Sequence, residues 1–376
     1  MPNPLTEIAR ELQDCQKKVQ LIYAFNGVGK TRLSREFKDL IDSQDSEEGD
    51  TDFINARVLY YNAFTEDLFY WNNSREDVKL NISPNNFTDW ILRTQGQDAN
   101  ITRRFQHYTT SILTPRFHPL LTSISFSLER GDDTPVENIK ISKGEESNLI
   151  WCVFYCLISE VVEILNIPEP EERGEQTFEN LQYVFIDDPV SSLDDNHLIE
   201  LAVDIANLIK DSESELKFII TTHNPLFYNV LYNELNIRSQ NYRPRECEKY
   251  RLEKNESGTY TLTPQTNDSP FSYHLHLMKE LQIAIESGNI HKYHFSFLRN
   301  ILEKTSTFLG HEKWVDLLPE ETDGARDRYF SRIINLSSHS NHSGEETIAV
   351  NDNDKRVLEH LFRQIQERYH FDLSNN

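Results

Sequence analysis

The stretch of sequence that decides the fold of the first part of the chain is Ala24-Phe25-Asn26-Gly27-Val28-Gly29-Lys30-Thr31. It follows the apolar run Val19-Gln20-Leu21-Ile22-Tyr23, which is typical of a buried β-strand. Strand, glycine-rich turn and helix together make a phosphate-binding loop, because glycines let backbone N–H groups close around phosphate oxygens. In such a loop Lys30 reaches the outer phosphates and the Thr31 hydroxyl holds Mg²⁺. The pattern departs at Ala24, which stands where the first glycine is expected.

Two more apolar runs end in polar side chains. Residues 183–189 read Tyr-Val-Phe-Ile-Asp-Asp-Pro, and residues 218–223 read Phe-Ile-Ile-Thr-Thr-His. Parallel strands of open α/β sheets present ligand-binding residues where the strands end, so these side chains are expected beside the loop. We predict that Asp187 holds the Mg²⁺ ion, that Asp188 polarises the attacking water, and that His223 contacts a γ-phosphate or its water.

The order of these segments, with Ser191-Ser192-Leu193-Asp194 after the second strand, resembles the ABC-type ATPase head, in the branch shared with SMC-like repair ATPases. The resemblance implies an α/β fold, a P-loop NTPase head with a mixed sheet. It implies that the head binds ATP or GTP, or another NTP or dNTP as an effector, together with Mg²⁺. It also implies a homodimer or higher homo-oligomer that holds nucleotides between heads packed head to tail.

The segment Ser142-Lys143-Gly144-Glu145-Glu146 occupies the place of that family's signature motif. By the resemblance, Ser142 and the backbone of Gly144 bind the γ-phosphate held by a second subunit, although an ordinary capped helix start has the same residues. Asp188 stands where the family has the longer glutamate, so we expect slow hydrolysis. The nucleotide-binding residues predicted in the head are Asn26, Gly27, Val28, Gly29, Lys30, Thr31, Ser142, Gly144, Asp187, Asp188, Asp194 and His223. Thr31 and Asp187 are the predicted Mg²⁺ ligands.

Composition limits the classes of function. The chain has 376 residues and a formal net charge of −23, which argues against a protein that coats DNA, because neutralising phosphates requires lysine and arginine. No unbroken apolar run of about eighteen residues is present, and the N-terminus lacks the features of a signal peptide. We therefore expect no membrane span and a cytoplasmic location. Cys152 and Cys156 lie four apart in an apolar helical stretch, which suits core packing better than a disulfide or a metal site.

The character of the sequence changes near residue 265. Residues 241–270 are polar and hold at most a short hairpin, whereas four amphipathic helical segments follow. We predict an ABC-type nucleotide-binding domain over residues 1–265 and a small all-helical domain over residues 266–376. Nine of the 13 histidines lie after residue 270, so we expect chemistry beyond nucleotide binding in the second domain.

Arg299 and Glu303 lie four residues apart on one predicted helix and therefore on one face. A surface ion pair worth about 0.3–0.5 kcal/mol is one interpretation of this spacing. Arg332 and His339 lie two helical turns apart with Asn335 between them, and all three share a face if the helix extends that far. A polar, histidine-rich sequence over residues 332–342 accompanies the pair, so a cluster of these side chains is the other interpretation.

Over nearly its whole length the chain resembles a PrrC-type anticodon nuclease. The resemblance rests on the head motifs, on Arg299-x-x-x-Glu303 followed by a histidine, and on the segment Tyr60-Tyr61-Asn62-Ala63-Phe64-Thr65-Glu66-Asp67-Leu68-Phe69. It implies that Arg299, Glu303 and His339 are catalytic, with His342 as the alternative histidine. The stretch from Arg332 to His339 also resembles the motif of HEPN-type ribonucleases, which adds Arg332 as a candidate.

The same resemblance implies an activity and partners. It implies a metal-independent endoribonuclease, without a cofactor in the nuclease site, that cuts tRNA (usually lysine tRNA) in the anticodon loop. The products would be a 2′,3′-cyclic phosphate and a 5′-OH end. The implied role is phage defence beside a type I restriction–modification complex, which silences the enzyme until a phage peptide interferes.

Two other classes of function compete with the nuclease. An SMC- or ABC-type DNA-associated ATPase is disfavoured by the strong acidity and by the absence of sustained heptads between Lys30 and Ser142. A non-catalytic NTP sensor, in which Arg299 and Glu303 form only an ion pair, is the third interpretation. A metal site at His274 and His276, or at His291 and His294, is disfavoured because no cysteine or carboxylate cluster accompanies them.

Overall fold

The computed structural model divides into two compact units, Met1–Pro270 and Phe271–Asn376. The predicted boundary at residue 265 adjoins residues 266–272, which lie outside the described part of the chain. The structure describes residues 4–42, 56–62, 68–71, 78–83, 86–109, 113–128, 136, 138–173, 178–189, 195–255, 258–265, 273–320, 324–338 and 350–371.

The first unit is built on a six-stranded mixed sheet in the order β10-β9-β1-β8-β7-β2. Neighbouring strands from β9 to β2 run parallel, and only β10 pairs antiparallel, with β9. All residues of β1 and β7 are buried, which is why they read as continuous apolar runs rather than alternating ones. The strands are β1 (Val19–Tyr23), β2 (Val58–Asn62), β7 (Tyr183–Asp187), β8 (Lys217–Thr222), β9 (Cys247–Lys254) and β10 (Tyr260–Pro264).

The hairpin expected between residues 241 and 270 is present, but it is not a separate element. Its first strand, β9, joins the main sheet beside β1, with Cys247 opposite Val19 and Arg251 opposite Tyr23. Most residues of β9 are only half-buried, so the strand accommodates polar side chains. Its sequence therefore lacks the continuous apolar run that marks β1 and β7. The phosphate-binding strand β1 therefore has a parallel neighbour on each side, β8 and β9.

The first unit also contains a second, four-stranded antiparallel sheet in the order β3-β4-β6-β5. Its strands are β3 (Phe69–Trp71), β4 (Leu80–Ile82), β5 (Leu113–Phe117) and β6 (Ser123–Leu128). The helices of the first unit are α1 (Leu5–Asp14), α2 (Lys30–Asp42), α3 (Asn86–Asp89), α4 (Asp98–Tyr108), α5 (Lys143–Leu165), α6 (Asp195–Asp211) and α7 (Pro225–Leu235).

Helix α5 corrects the expectation that no segment is apolar enough to span a membrane. Among the described helices, it alone is long and apolar enough by length and composition. However, 78% of its apolar window is buried inside the structure, as expected of a core helix. Cys152 and Cys156 are both buried in this helix, and burial raises the pKa of each thiol, that of Cys156 to about 11. Both are therefore core residues, as their spacing predicts.

The described residues of the second unit form helices and the loops that connect them, without a strand. Its core contains Phe295, Leu298 and Leu302, three apolar positions of α9 that recur at three- and four-residue steps, and all three are buried. Residues of the other three helices complete the same cluster. The helices are α8 (Tyr273–Ser287), α9 (Lys292–Leu309), α10 (Ala325–Ser338) and α11 (Asp352–Tyr369).

Candidate functional site

The phosphate-binding loop joins β1 to α2 in the predicted manner. Gly27 and Gly29 have φ angles of +80° and +119°, which side-chain-bearing residues rarely adopt. A Cβ built at Gly27 meets no atom within 4 Å, whereas one at Gly29 comes within 3.4 Å of the ring of Tyr260 on β10. The conformation thus favours glycine at both positions, and the ring of Tyr260 lies in van der Waals range of position 29. Tyr260, a residue that sequence analysis missed, supports the loop from the neighbouring hairpin.

Lys30, the first residue of α2, is buried, and its ammonium group faces the turn of the loop. Its Nζ lies 3.3 Å from the carbonyl oxygen of Ala24, 3.4 Å from that of Phe25 and 3.3 Å from Oδ1 of Asn26. It also lies 3.3 Å from Oδ2 of Asp188. A positive charge held by several oxygens inside the loop, beside a helix N-terminus, is a strong site for phosphate.

Asp187 ends β7 and is 1% exposed. Because β7 and β8 are parallel neighbours, Asp187 lies in register with Thr221, whose hydroxyl donates to Oδ1 at 2.6 Å. Burial raises the pKa of Asp187, although hydrogen bonds from Thr221 and Thr31 partly offset the rise. Tyr60, on β2, donates to the other carboxylate oxygen at 3.5 Å. Thr221 and Tyr60 also escaped sequence analysis, because only strand pairing brings them to Asp187.

Asp188 follows with a positive φ of +50° and turns its carboxylate toward both Lys30 and His223. Nδ1 of His223 lies 2.7 Å from Oδ2 and 2.9 Å from Oδ1. Burial alone would raise the pKa of Asp188, but the hydrogen bond from His223 and the charge of Lys30 outweigh burial and lower the pKa. Asp188 is therefore an ionised carboxylate that is fixed in place, as a residue that orients a water requires.

The donor set fits Mg²⁺ and a nucleoside triphosphate. Hydroxyl and carboxylate oxygens are the ligands that Mg²⁺ prefers, and Thr31 and Asp187 supply one of each within hydrogen-bond distance. When bound, the metal would neutralise phosphate charge. The residues of the protein would orient the phosphates (the loop and Lys30) and the attacking water (Asp188 and His223). Asp194, the remaining predicted residue of this group, lies outside the described residues.

Ser142 is the N-cap of α5. Its hydroxyl accepts from the backbone N–H of Glu145 at 3.2 Å, and its own N–H donates to the Glu145 carboxylate at 2.6 Å. This reciprocal pair is a capping box, the simpler of the two interpretations of the sequence. The contact that Ser142 and Gly144 would make with a nucleotide of a second subunit stays a prediction.

In the second unit, Arg299 and Glu303 lie on one face of α9, with Nε 2.7 Å from Oε1. Their side chains are 36% and 40% exposed, so solvent reaches both. Phe295, Leu298 and Leu302 are buried in the core and fix the helix there. The pair is therefore held on a packed helix while its charged groups stay accessible.

Arg332 has a partner that the sequence did not suggest. Its Nε lies 2.5 Å from Oδ1 of Asp354, near the start of α11, and Asp354 is only 7% exposed. With its amide turned so that the oxygen faces the guanidinium, Asn353 accepts two further hydrogen bonds from Arg332. Arg332 thus joins α10 to α11. The predicted histidines, His339 and His342, lie outside the described residues.

The histidine pair at the start of α9 serves as a cap. Nδ1 of His294 accepts from the backbone N–H of His291 at 2.8 Å, and His294 is buried. Burial, with His291 nearby, lowers the pKa of His294 to about 4, so the imidazole is neutral at physiological pH.

A comparison with known proteins assigns the family. A curated anticodon nuclease from Escherichia coli is 51% identical to this chain over 395 aligned residues, which cover 96% of each protein. The chain belongs to the anticodon nuclease family. Residues 126–367 of this anticodon nuclease, more than half of the chain, also match the family model described as an AAA domain. The expectation of an endoribonuclease with an NTPase-type head is confirmed.

Two SMC heads among the solved structures are similar to part of this chain, both with low TM-scores. An SMC head bound to the C-terminal winged-helix domain of ScpA has a TM-score of 0.31 at 11% identity, covering 68% of this chain and 91% of that one. The SMC head domain from Thermotoga maritima has a TM-score of 0.28 at 14% identity, covering 66% and 91%. The ABC-type fold of the head rests on its own sheet order and phosphate-binding loop, not on these values.

Proposed function

We propose that this anticodon nuclease is a nucleotide-gated endoribonuclease that cuts tRNA within the anticodon loop. The observation that carries the proposal is the Arg299–Glu303 pair, accessible on a packed helix of a unit distinct from the one that holds the phosphate-binding loop. The curated relative's name supports an anticodon as the target. An anticodon loop is single-stranded, so its bases can be splayed out and read by side chains.

The proposed reaction needs no metal in the nuclease unit. One group removes the proton of a ribose 2′-OH, whose oxygen attacks the adjacent phosphorus, and a second group protonates the departing 5′-oxygen. Glu303 and a histidine, His339 or His342, fill these two roles, each worth about 10²–10⁴ in rate. Arg299 stabilises the charge that develops on the phosphorane oxygens. The products are a 2′,3′-cyclic phosphate and a 5′-OH end.

We further propose that nucleotide gates the cut. ATP, GTP or another NTP or dNTP, with Mg²⁺, would close two heads against each other, with Ser142 of each head facing the nucleotide of the other. The proposed setting is the cytoplasm, in defence against phage, with a type I restriction–modification complex as the silencing partner and a phage peptide as the activator. Lysine tRNA is the proposed substrate.

The test compares Glu303→Gln with a matched control, Glu359→Gln, in the full chain. Glu359 belongs to another exposed arginine–glutamate pair of the same unit, with Arg363, also at 2.7 Å. Each substitution removes a surface ion pair worth about 0.3–0.5 kcal/mol, so neither should change the free energy of unfolding by more than this. We expect Glu303→Gln to lower cleavage of total tRNA by about 10²-fold or more, and Glu359→Gln to leave it unchanged.

The chemistry of the ends provides the second readout. Mapping should find one cut in the anticodon loop, with a 2′,3′-cyclic phosphate that blocks ligation requiring a 3′-OH until the ring is opened and the phosphate removed. A 3′-OH and 5′-phosphate pair would instead point to a metal-activated water. Undiminished cleavage by Glu303→Gln would refute the catalytic assignment of Glu303, and Lys30→Ala should block cleavage if nucleotide gates it.

A further inference from the structure

A cavity of about 510 Å³ lies within the second unit, at the C-terminal end of α9. Its walls come from α8, from the last two turns of α9 and from the end of α11. The residues that line it include His274, Lys304, Phe308, Leu309, Tyr369 and Phe371.

One residue that lines the cavity, Thr307, lies one helical turn from Glu303. Lys304 follows Glu303 directly, and Thr307, which also lines the cavity, donates its hydroxyl to the Glu303 carbonyl oxygen at 2.9 Å. On a helix that rises about 1.5 Å per residue, Thr307 lies about 6 Å along the axis from Glu303. A nucleotide neighbouring the one at the pair can therefore reach the cavity.

The aromatic content of the cavity suits a nucleobase. Phe308 is 90% exposed and Leu309 is 45% exposed, although large apolar side chains usually avoid water. Tyr369 and Phe371 also line the cavity, and both are partly buried against the core of the unit. An unpaired base can stack on such a surface, in which one ring is exposed and two others are held by the core.

The charge of the cavity is unusual for this protein. The chain has 61 acidic residues against 38 basic ones, yet none of the described residues lining this cavity is acidic, and Lys304 supplies a positive charge. A cavity between α4, α5 and α6 in the first unit, of about 460 Å³, contains Glu160, Glu163 and Asp204. Of these two cavities, the one beside Glu303 can accept the phosphate that accompanies a base.

His274 adds a hydrogen-bonding group. Burial lowers its pKa, and the nearby charge of Lys304 lowers it further, so the imidazole is neutral near pH 7. A neutral imidazole offers one donor or one acceptor to a base edge, and it leaves the single charge of Lys304 for the backbone of the RNA.

We propose that this cavity is a nucleobase subsite, in which Phe308 stacks on an unpaired base of the RNA substrate and Lys304 binds its phosphate, one nucleotide away from the cut. The proposal rests on the proposed function and deepens it, because it selects single-stranded RNA by stacking rather than by pairing.

The test measures binding of an anticodon stem-loop RNA to the full chain by fluorescence anisotropy, in a Glu303→Gln background that prevents cleavage. We expect Phe308→Ala to weaken binding about 5- to 150-fold, the usual effect of losing one base stack. Lys304→Gln should reduce the slope of log Kd against log salt by about 0.7, the value for one phosphate of a single strand. Tyr293→Ala, which removes another exposed ring of α9, and Lys313→Gln, an exposed lysine of the same unit, are the controls and should bind as the parent does.

An abasic scan identifies the base. One loop position, replaced by an abasic nucleotide, should weaken binding as much as Phe308→Ala does, with no further loss when both changes are combined. Parent-like binding by both Phe308→Ala and Lys304→Gln would overturn the subsite. A change in the sedimentation coefficient of the RNA-free protein on Phe308→Ala would also overturn the subsite. It would mean that a second copy of the chain covers this surface.

The two proposals fail separately. If the unmodified chain cuts tRNA while Phe308→Ala binds RNA normally, the subsite fails and the nuclease stands. If the unmodified chain cuts no RNA, while Phe308→Ala still weakens binding and the abasic position still matches, the nuclease fails and the subsite stands.

Discussion

Nδ1 of His223 lies 2.7 Å from Oδ2 of Asp188, where two neighbouring parallel strands of the head end. The two residues are 35 positions apart in sequence and meet because β7 and β8 run side by side. Nζ of Lys30 lies 3.3 Å from the same oxygen. The Asp188 carboxylate therefore contacts both Lys30 of the phosphate-binding loop and His223, the residue after β8. The length of the Asp188 side chain sets where a water could be held.

The length of this carboxylate gives the first prediction. Asp188→Asn should lower steady-state NTP hydrolysis about 10²-fold or more, because an amide cannot polarise the water, while nucleotide binding persists. Asp188→Glu should raise turnover, because the oxygen moves forward to the position that glutamate occupies in related heads. Phosphate release under saturating nucleotide measures both variants. A turnover of Asp188→Glu at or below that of the unmodified chain would contradict the short carboxylate as the cause of slow hydrolysis.

Binding of Mg²⁺ with nucleotide should depend on pH through Asp187. Burial raises the pKa of this carboxyl. Between the ordinary aspartate pKa and this raised pKa, Asp187 is therefore protonated while an exposed aspartate is ionised. Since the metal needs the ionised form, its affinity should fall as pH falls through the raised pKa. Isothermal titration at several pH values measures this, with proton release to the buffer on binding as the check. Asp187→Asn should bind more weakly and lose that part of the pH dependence; an unchanged dependence would assign it to another group.

Two variants distinguish the capping role of Ser142 from its predicted contact with the nucleotide of a second subunit. Ser142→Ala removes the N-cap of α5 and should destabilise the protein by about 0.5–2 kcal/mol, whereas Ser142→Asp keeps a capping oxygen and should stay close to the parent. If Ser142 also meets a γ-phosphate of a second subunit, the added carboxylate repels it. Ser142→Asp should then unfold at the parent's temperature but fail to form a nucleotide-dependent dimer in sedimentation experiments. A normal dimer in this variant would leave the cap as the whole role of Ser142.

Arg332 should act on stability. Arg332→Ala leaves the mostly buried carboxylate of Asp354 without its charged partner, which should cost about 1–3 kcal/mol. The matched control is Arg363→Ala, whose side chain is 67% exposed and whose pair with Glu359 should be worth only about 0.3–0.5 kcal/mol. Chemical denaturation measures both, and the double variant with Asp354→Ala isolates the coupling. A loss of RNA cleavage by Arg332→Ala without loss of stability would return Arg332 to the catalytic set.

The head could be read from sequence where its chemistry is local. The loop from Ala24 to Thr31 and the strand that ends at Asp187 are continuous in the chain, and buried parallel strands show as unbroken apolar runs. The place of β9 beside β1, and of Tyr260 under Gly29, could not be read, because half-buried polar strands carry no such signal. In the second unit, spacing placed Arg299 and Glu303 on one face, but it gave Arg332 no sign of Asp354.

By itself, the sequence determined the phosphate-binding loop, the acidic strand end, the helical character of the second unit and the arginine–glutamate pair, because each depends on residues within a few turns or one strand of each other. Only the tertiary structure decided which strands flank the loop, that Lys30 and His223 share the Asp188 carboxylate, and that Asp354 holds Arg332. Those contacts join residues that are distant along the chain, and only the burial of apolar surface and the pairing of strands bring such residues together.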